Sequence, residues 1–594
     1  MSFTTRPEIQ GTFGVIASTH WLASASGMAV MERGGNAFDA AVAAGFVLQV
    51  VEPHLNGPGG EVPIILHHAA SGRQEVICGQ GVAPAAATIE RYRGLGLDLV
   101  PGSGLLAAVV PGAFDAWMLL LRDYGTLPPR AVLEFAIAYA DGGYPLVAGI
   151  TAKIAMVRDL FERDWPTSAA VYLPGGDVPA PGSRFRNPTL AATYRRLLDE
   201  AEAKTGDREG QIEALRDGWY RGSVAEAIET FCRDTRWLDT SGERHGGLLT
   251  AGDLADWRAT KEAPVTYRCW GHTFCKTGPW GQGPVFLQQL ALLADSDLAA
   301  MDPLGPEFVH LETEAAKLAF ADREAFYGDP NFVDVPLETL LSAEYNEVRR
   351  KLITDAASLE LRPGQVAGHA GKIDVAGAVG RRQIGLDALG GGEPTLQADL
   401  ADGDTCHVDV VDRHGNMISA TPSGGWLHGS PVIPELGFCL GTRAQMFWLE
   451  PGCPASLAPG KRPRTTLSVN LVLRDGEPYM AFGTPGGDYQ DQWTLTFALR
   501  HLHHGMNLQE AIDAPAFVTD HLVDSFWPRG ADLGSLTIEA RFPQATIAEL
   551  RRRGHKVTLA EDWSLGRLSA AARDGDLLKA AANPRLMQGY AVGR

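Results

Sequence analysis

The chain contains the run Thr405-Cys406-His407-Val408-Asp409-Val410-Val411-Asp412, then Arg413-His414-Gly415, then Asn416-Met417-Ile418-Ser419-Ala420-Thr421. Both flanking segments are rich in β-branched and apolar residues, which is typical of strands with a buried face. A three-residue connection that ends in glycine favours a tight hairpin with a bulge. When Asp412 is paired with Asn416 and the register is continued, Thr405 falls opposite Ser423.

A second hairpin is predicted further along the chain. The dipeptide Asp475-Gly476 separates residues 467–474 from residues 477–483 and is a strong signal for a two-residue turn. Continuing this register places Thr465 opposite Gly486. Prolines near both open ends can interrupt the pairing there. Hydroxyl side chains and a glycine-rich turn are therefore expected to meet at the ends away from the tight turns.

The composition is that of an acidic globular protein. The chain has 594 residues, 52 Lys+Arg against 71 Asp+Glu, and a formal net charge of −19. With 45% hydrophobic and 21% charged residues it can bury a large core. The negative charge repels phosphate backbones and no stripe of basic residues offsets it, so nucleic acid is not expected as a partner.

The sequence carries no targeting or membrane signal that we can identify. The N-terminal Met1-Ser2-Phe3-Thr4-Thr5-Arg6 lacks a basic segment followed by an apolar run and a cleavage box. The apolar residues 37–51 are too few for a membrane span and are interrupted by Asp39 and Gln49. The seven cysteines are scattered, with no CxxC pair. We therefore expect a cytoplasmic protein with reduced thiols and no membrane partner.

The first part of the chain alternates strands and helices. Gly14-Val15-Ile16-Ala17 predicts a strand, and residues 36–51 predict a helix capped by Asn36. The loop Asn56-Gly57-Pro58-Gly59-Gly60 leads into an apolar strand at residues 62–66. This loop follows a helix and lacks a Lys-Ser/Thr pair, so it predicts tight packing or an anion-binding nest and not a nucleotide site.

Two further regions differ from this alternation. Residues 189–351 predict a mostly helical region with charged, solvated faces. Residues 363–404 are rich in glycine and show no helical or strand period, so they predict a flexible linker. The β-rich part begins directly after that linker.

The position of Thr405 admits two interpretations. Threonine favours strands, so a lone threonine at a strand start is ordinarily structural. Alternatively, the Asp404–Thr405 bond is cut, and the new α-amine, with a pKa of about 8, accepts the proton of its own hydroxyl. Such a nucleophile needs an oxyanion hole. Gly486-Gly487 can supply two backbone N–H groups there, because glycine tolerates the φ values involved.

Residues Asp404 to Asn416 resemble the processing segment of the γ-glutamyltransferase (γ-glutamyltranspeptidase) family. Other matching motifs follow in one order along nearly the whole chain. They are Gly34-Gly35-Asn36-Ala37-Phe38-Asp39-Ala40-Ala41, residues 56–60, Val110-Pro111-Gly112, Tyr124-Gly125-Thr126-Leu127-Pro128, Ala321-Asp322-Arg323, Gly328-Asp329-Pro330, Gly460-Lys461-Arg462-Pro463, Gly483-Thr484-Pro485-Gly486-Gly487 and Glu510-Ala511-Ile512-Asp513-Ala514-Pro515.

The resemblance implies an N-terminal-nucleophile (Ntn) hydrolase. Its fold would be an α+β four-layer αββα sandwich, with an additional largely helical region in the large subunit. One precursor would cleave itself into a large subunit, residues 1–404, and a small catalytic subunit, residues 405–594. The subunits stay together, and no cofactor is implied.

Family roles transfer to matching positions of this chain. Thr405 matches the nucleophile, and Ser423 matches a second threonine whose hydroxyl supports the nucleophile's amine. Gly486-Gly487 matches the oxyanion glycines. Thr465-Thr466 matches a Ser-Ser pair that contacts the substrate's α-carboxylate. The hairpin register independently places Ser423 beside Thr405.

Departures from the family pattern concern the substrate. Gln80 stands where members that use glutathione have an arginine for the glutamyl α-carboxylate, and Met446 stands where they have an acidic residue for the α-amine. Losing both charged partners weakens binding of a glutamyl head by several kcal/mol, roughly 1.5–3 for each contact. The run Ser423-Gly424-Gly425-Trp426, with Arg443, instead resembles the γ-glutamyltransferase-like amidohydrolase and acylase branch.

Arg443 has a structural and a functional interpretation. It is either a surface residue of a turn or the carboxylate-binding group of a pocket that has lost its acidic residue to Met446. In the second case its planar fork suits a carboxylate, with Trp426, Phe447 or Trp448 as walls. This interpretation predicts a substrate with a free carboxylate and no α-amine, such as a dicarboxylic acid monoamide.

The sequence therefore predicts an autoprocessing threonine amidohydrolase or acyltransferase that acts on a small amide, with water or an amine as acceptor. A true γ-glutamyltransferase is the first alternative, and an uncleaved, non-catalytic binding protein is the second. Cys406 is a competing nucleophile, but side chains alternate along a strand, so it cannot face the same way as Thr405. No metal is expected, because His407 and His503-His504 lack ligand spacing.

Overall fold

A computed structural model describes residues 3–388 and 405–594. Its core contains two seven-stranded sheets in which all neighbouring strands are antiparallel. In spatial order the first sheet contains Ile9–Gly11, Leu577–Ala582, Ser569–Asp574, Glu477–Gly483, Asn470–Arg474, His272–Lys276 and Val265–Cys269. The second contains Tyr590–Gly593, Gly14–Ser18, Val408–Asp412, Met417–Ala420, Val62–His68, Arg73–Gly79 and Thr260–Glu262.

Apolar side chains from both sheets share one buried cluster. Val15, Ile65 and Val411 of the second sheet belong to it together with Leu471 and Ala571 of the first. The intervening strand residues turn to the opposite faces, because successive side chains of a strand alternate. This arrangement explains why the central strands read as nearly continuous apolar runs.

Helices cover the other face of each sheet. The second sheet shares its outer cluster with Trp21–Glu32, Ala37–Val51, Ala113–Tyr124 and Pro129–Gly142. The first sheet shares another cluster with Gly283–Leu293, Pro306–Phe326, Gln490–His504 and Leu508–Asp513. Asn36 caps Ala37–Val51 in a capping box with Asp39, as its sequence predicts. The protein therefore mixes helices with antiparallel sheets.

Other described elements lie around these layers. Among the described helices, none is both long and apolar enough to cross a membrane. The remaining α-helices are Ile89–Gly94, Ala148–Met156, Arg158–Arg163, Pro166–Tyr172, Pro188–Lys204, Arg208–Tyr220, Ser223–Asp234, Ala251–Ala255, Leu337–Leu341, Ala343–Arg350, Val375–Ala388 and Gln544–Arg552. Short strands pair as Tyr144–Pro145 with Arg184–Phe185, Trp237–Leu238 with Arg244–His245, Val432–Ile433 with Phe438–Cys439, and Phe517–Val518 with Ser535–Glu539 and Lys556–Ala560.

Of two further predicted regions, the first agrees with the structure in the main and the second differs from it. Residues 189–351 are mostly helical, but residues 260–276 contain three strands of the central sheets. Residues 363–404 are not a continuous linker, because Val375–Ala388 is a helix despite its glycines. The helix packs Ala378 into a cluster with Val523, so tertiary contacts stabilise a segment without a helical pattern of its own. Residues 389–404, with the predicted cleavage residue Asp404, lie outside the described residues.

The first hairpin has the predicted register. Val408 pairs with Ala420, Gly415 has a φ of +86°, and an isolated bridge joins Thr405 to Ser423. Because only a glycine adopts this φ without strain, the loop sequence determines where the chain reverses.

The second register is correct only near its turn. Arg474 pairs with Glu477, but a bulge shifts the pairing by one residue between Val472 and Leu473. Such an insertion changes every pair beyond it. Thr465 bridges to Gly281 instead, so the predicted pairing of Thr465 with Gly486 is wrong.

Candidate active site

Thr405 is fully buried beside Ser423, three residues before the strand Val408–Asp412. Its Oγ1 donates to Ser423 Oγ at 3.4 Å, and the N–H of Cys406 donates to the carbonyl of Pro422 at 2.9 Å. The strand register therefore brings together two hydroxyls that are 18 positions apart in sequence.

Cys406 faces the opposite side of this strand, as the predicted alternation requires. Its Sγ donates to Glu52 Oε2 at 3.0 Å, and Thr19 Oγ1 donates to the same oxygen at 2.7 Å. Burial raises the pKa of the Cys406 thiol well above its usual range, and it also raises the pKa of the Glu52 carboxyl. The thiol therefore stays protonated and points away from Ser423, which makes it a poor nucleophile.

Arg443 is a charged group in direct contact with the paired hydroxyls. Its side chain is 1% exposed, so the surface interpretation of this residue is wrong. Nη2 donates to Ser423 Oγ at 3.0 Å, and Nε donates to Glu61 Oε1 at 2.6 Å. Sequence reasoning missed Glu61. The signal that could have identified it is an acidic residue at the entrance to an apolar strand.

Aromatic rings surround the guanidinium of Arg443. Its Cζ lies 5.3 Å from the ring centre of Trp426 and 5.8 Å from that of Phe526. Nη1 lies 3.9 Å from the sulfur of Met446, which packs with both rings in one apolar cluster. A guanidinium enclosed in this way acts in a low dielectric, where its interaction with an anion is strong.

The other two predicted walls lie elsewhere. Phe447 packs into a separate cluster with Leu106 and Leu248. Trp448 donates its Nε1 to Glu324 at 2.7 Å, and the guanidinium of Arg529 lies 4.0 Å from its ring centre. The short 3-10 helix Arg443–Met446 explains the difference, because it turns the chain so that the next residues point away from the pocket.

Gly486 and Gly487 lie in the turn before the helix Gln490–His504. Their φ angles are +123° and +52°, a region that favours glycine. A Cβ on Gly487 would lie 3.0 Å from the ring of Phe526, the same ring that lies over Arg443. The predicted oxyanion turn therefore borders the Arg443 pocket.

Thr466 and Gln80 place polar atoms in buried positions without a partner among the described residues. Thr466 Oγ1 has none, and neither has Gln80 Oε1, although Gln80 Nε2 donates to the carbonyl of Gly81 at 3.1 Å. Thr465 is held by its backbone, whose N–H donates to Trp280 O at 2.9 Å. Because an unpaired buried polar atom is costly, Thr466 and Gln80 are suited to contact a ligand or water.

The glycine loop at residues 56–60 packs tightly against the active-site backbone. A Cβ on Gly57 would lie 2.4 Å from the carbonyl oxygen of Gly425, and one on Gly60 would lie 2.0 Å from that of Ser423. Close backbone approach is therefore the reason for these glycines, which agrees with the tight-packing interpretation.

Within residues 3–388 and 405–594, His310, Glu314 and His555 form one cluster of potential metal ligands. His310 Nδ1 and His555 Nε2 are 2.9 Å apart, a hydrogen-bond distance. Lys317 Nζ donates to Glu314 Oε1 at 2.6 Å, and Arg362 Nη2 donates to Glu314 Oε2 at 3.1 Å, so two cations already neutralise the carboxylate. The expected absence of a metal stays a prediction.

Comparisons with known proteins identify the family of the chain. The family model described as gamma-glutamyltranspeptidase matches residues 23–593. The oxamate amidohydrolase proenzyme of Klebsiella pneumoniae subsp. pneumoniae is 33% identical over 596 residues, which cover 98% of both chains. The structure of a LmbA2991 variant has a TM-score of 0.93 and 59% identity, with 100% of both chains covered.

A second solved structure, the cephalosporin acylase from Bacillus halodurans, has a TM-score of 0.82 and 27% identity. The match covers 100% of this chain and 98% of that one. All of these likenesses extend over nearly the whole chain. The chain therefore belongs to the γ-glutamyltranspeptidase family of Ntn-hydrolases and is a hydrolase or acyltransferase.

Proposed function

We propose that the chain is an autoprocessing threonine amidohydrolase with the four-layer αββα sandwich of the Ntn-hydrolases. The observation that carries this proposal is the buried contact of 3.4 Å between Thr405 Oγ1 and Ser423 Oγ, just before the central strand Val408–Asp412. The two sheets with a shared cluster, each covered by helices on its other face, support the four layers.

The reaction follows from a free amine on Thr405. The precursor cleaves the Asp404–Thr405 bond, and the new α-amine accepts the proton of the Thr405 hydroxyl as its oxygen attacks the amide carbon. N–H groups of the Gly486-Gly487 turn stabilise the oxyanion. The amine then passes the proton to the leaving nitrogen, and water or an amine attacks the acyl-enzyme by the same route.

The substrate class follows from the Arg443 pocket. Glu61 binds the Nε and Nη2 side of the guanidinium, so Nη1 remains the side that meets a ligand between the rings of Trp426 and Phe526. We infer an amide that carries one carboxylate and no α-amine. A relative named oxamate amidohydrolase supports this class, because oxamate is a dicarboxylic acid monoamide.

Glu61 also supports a second candidate, a true γ-glutamyltransferase. Met446 stands where family members have an acidic residue for the α-amine, and the buried carboxylate of Glu61 supplies a negative charge from another segment. If this carboxylate released Arg443 on substrate binding, it would pair with an α-amine.

Denaturing electrophoresis tests the processing step. The 63.6 kDa precursor is expected to give fragments of roughly 43 and 20 kDa, and N-terminal sequencing of the smaller fragment is expected to begin at Thr405. A single band that persists and forms no acyl adduct would support the non-catalytic binding protein instead.

A matched pair of anilides tests the substrate. We expect the glutaryl anilide to turn over faster than the γ-glutamyl anilide, which differs only by the α-amine. Arg443→Met is expected to lower kcat/KM for the glutaryl substrate about 10–100-fold, the loss of one charge-assisted contact. Faster turnover of the γ-glutamyl anilide would contradict the proposed class and favour the transferase.

A further inference from the structure

Glu61 is buried, and its backbone pairs directly with that of Ser423 in the candidate active site. The N–H of Glu61 donates to Ser423 O at 2.9 Å, and the N–H of Ser423 donates to Glu61 O at 3.0 Å. The same Ser423 bridges to Thr405 on its other side. Ser423 therefore lies between Glu61 on one side and Thr405, the proposed nucleophile, on the other.

Two glycines leave room for the Glu61 carboxylate. A Cβ on Gly424 would lie 2.7 Å from Glu61 Oε2, and one on Gly441 would lie 3.3 Å from the same oxygen. Gly424 also has a φ of +77°, which favours glycine. The backbone around the carboxylate is thus shaped to accept it.

Four side chains then form a continuous line of contacts. Glu61 Oε1 accepts from Arg443 Nε at 2.6 Å, and Arg443 Nη2 donates to Ser423 Oγ at 3.0 Å. Ser423 Oγ also accepts from Thr405 Oγ1 at 3.4 Å. All four residues are at most 1% exposed, so water does not screen the charges.

We propose that Glu61 is a positioning residue of the active site. It holds the guanidinium of Arg443 in the orientation that donates to Ser423, and its charge cancels the guanidinium charge beside the amine of processed Thr405. This inference rests on the proposed function, because the amine exists only after cleavage. Glu61 would then be a residue of the large chain that completes a site on the small chain.

The charge balance predicts the pH dependence of catalysis. The amine of Thr405 acts as base only when it is neutral, so its pKa sets the acid limb of kcat/KM. An uncompensated guanidinium nearby disfavours the ammonium form and lowers that pKa by roughly one unit. The other titratable or charged groups at this strand end are Glu52, Arg567, His407 and Asp409, and they are the same in every variant.

Two substitutions in the full chain separate charge from geometry. Glu61→Gln keeps the shape and removes the charge, so the acid limb is expected to move to lower pH by about one unit. Glu61→Asp keeps the charge, but its side chain is one methylene shorter and no longer accepts the hydrogen bond from Arg443 Nε. We expect kcat to fall about 10-fold with the acid limb unchanged. If Glu61 had only a structural role, both variants would change in stability or kcat, and neither would shift the acid limb of kcat/KM.

If Glu61→Gln does not fold, a double variant tests whether Glu61 compensates the charge of Arg443. Glu61→Gln with Arg443→Met removes both charges, so its acid limb is expected at the wild-type position. If the acid limb of folded Glu61→Gln stays in place, or that of the double variant shifts, the inference about Glu61 is wrong, whereas the proposed function still stands. A wild-type chain that neither cleaves itself nor releases amine would overturn the proposed function instead.

Discussion

At the scale of residues, Thr405 and Cys406 are neighbours in sequence but face opposite sides of one strand. Thr405 meets Ser423, whereas Cys406 donates to Glu52 and has a pKa well above its usual range because it is buried. Of the two side chains, the Thr405 hydroxyl is therefore the one that faces Ser423, to which Arg443 donates.

Substitution of the two residues tests this assignment. Thr405→Ala is expected to remain a single uncleaved, inactive chain, because no nucleophile remains. Cys406→Ala is expected to process itself and keep its activity. Its loss of stability should be only about 0.5–1.5 kcal/mol, because Glu52 Oε2 loses one hydrogen bond but keeps the one from Thr19. Electrophoresis and an amine-release assay measure both effects. Processing in Thr405→Ala together with none in Cys406→Ala would reverse the assignment.

At the scale of elements, a buried ion pair holds the helix that follows the proposed oxyanion turn. Lys276, at the end of the strand His272–Lys276, donates to Asp491 at 2.8 Å and to Asn470 at 2.7 Å. Asp491 lies in the first turn of the helix Gln490–His504. Neither side chain of the pair is exposed. The pair therefore links the first sheet to the segment that carries Gly486 and Gly487.

Breaking this pair is expected to destabilise the protein. Lys276→Met leaves the Asp491 charge buried and unpaired, so the free energy of unfolding should fall by about 3–5 kcal/mol. Urea denaturation of the processed protein measures this loss. Lys276→Met combined with Asp491→Leu is the matched control and should recover most of it, because no lone charge remains. If the single and double variants are equally unstable, packing and not charge is what the pair provides.

At the scale of the whole molecule, neutral histidines are buried in both predicted subunits, residues 1–404 and residues 405–594. Burial lowers the pKa of His20 and of His521 to about 3. His20 Nδ1 accepts the N–H of Leu22 at 3.1 Å and so caps the helix Trp21–Glu32, a bond that a proton on Nδ1 would abolish. The folded state therefore requires the neutral form.

The sign of the pH dependence follows from these pKa values. An unfolded histidine has a pKa of about 6.5, so below that pH the unfolded chain binds more protons than the folded one. Stability should be complete above about pH 6.5 and fall progressively below it. His20→Asn keeps a capping side chain without this titration, so its midpoint in urea should depend less on pH between about 6 and 4. An unchanged slope would show that His20 does not contribute.

Local patterns in the sequence determined the first hairpin, the capped helix after Asn36 and the pairing of Thr405 with Ser423. Each of these depends on residues close in sequence, such as a glycine that alone adopts the φ of a turn or an alternation that sets the facing side. The matching motifs along the chain likewise indicated the family.

Tertiary structure alone decided the Arg443 pocket. Glu61 is 382 positions from Arg443, and Phe526 lies on a third segment, so no spacing links them. The pairing of the second hairpin ends at Asn470, so Thr465 bridges to Gly281 and not to its predicted partner. Packing against Val523 made a helix of a glycine-rich segment. The physical reason is that burial and charge pairing depend on which distant segments meet, whereas turns, caps and alternation depend on the local backbone.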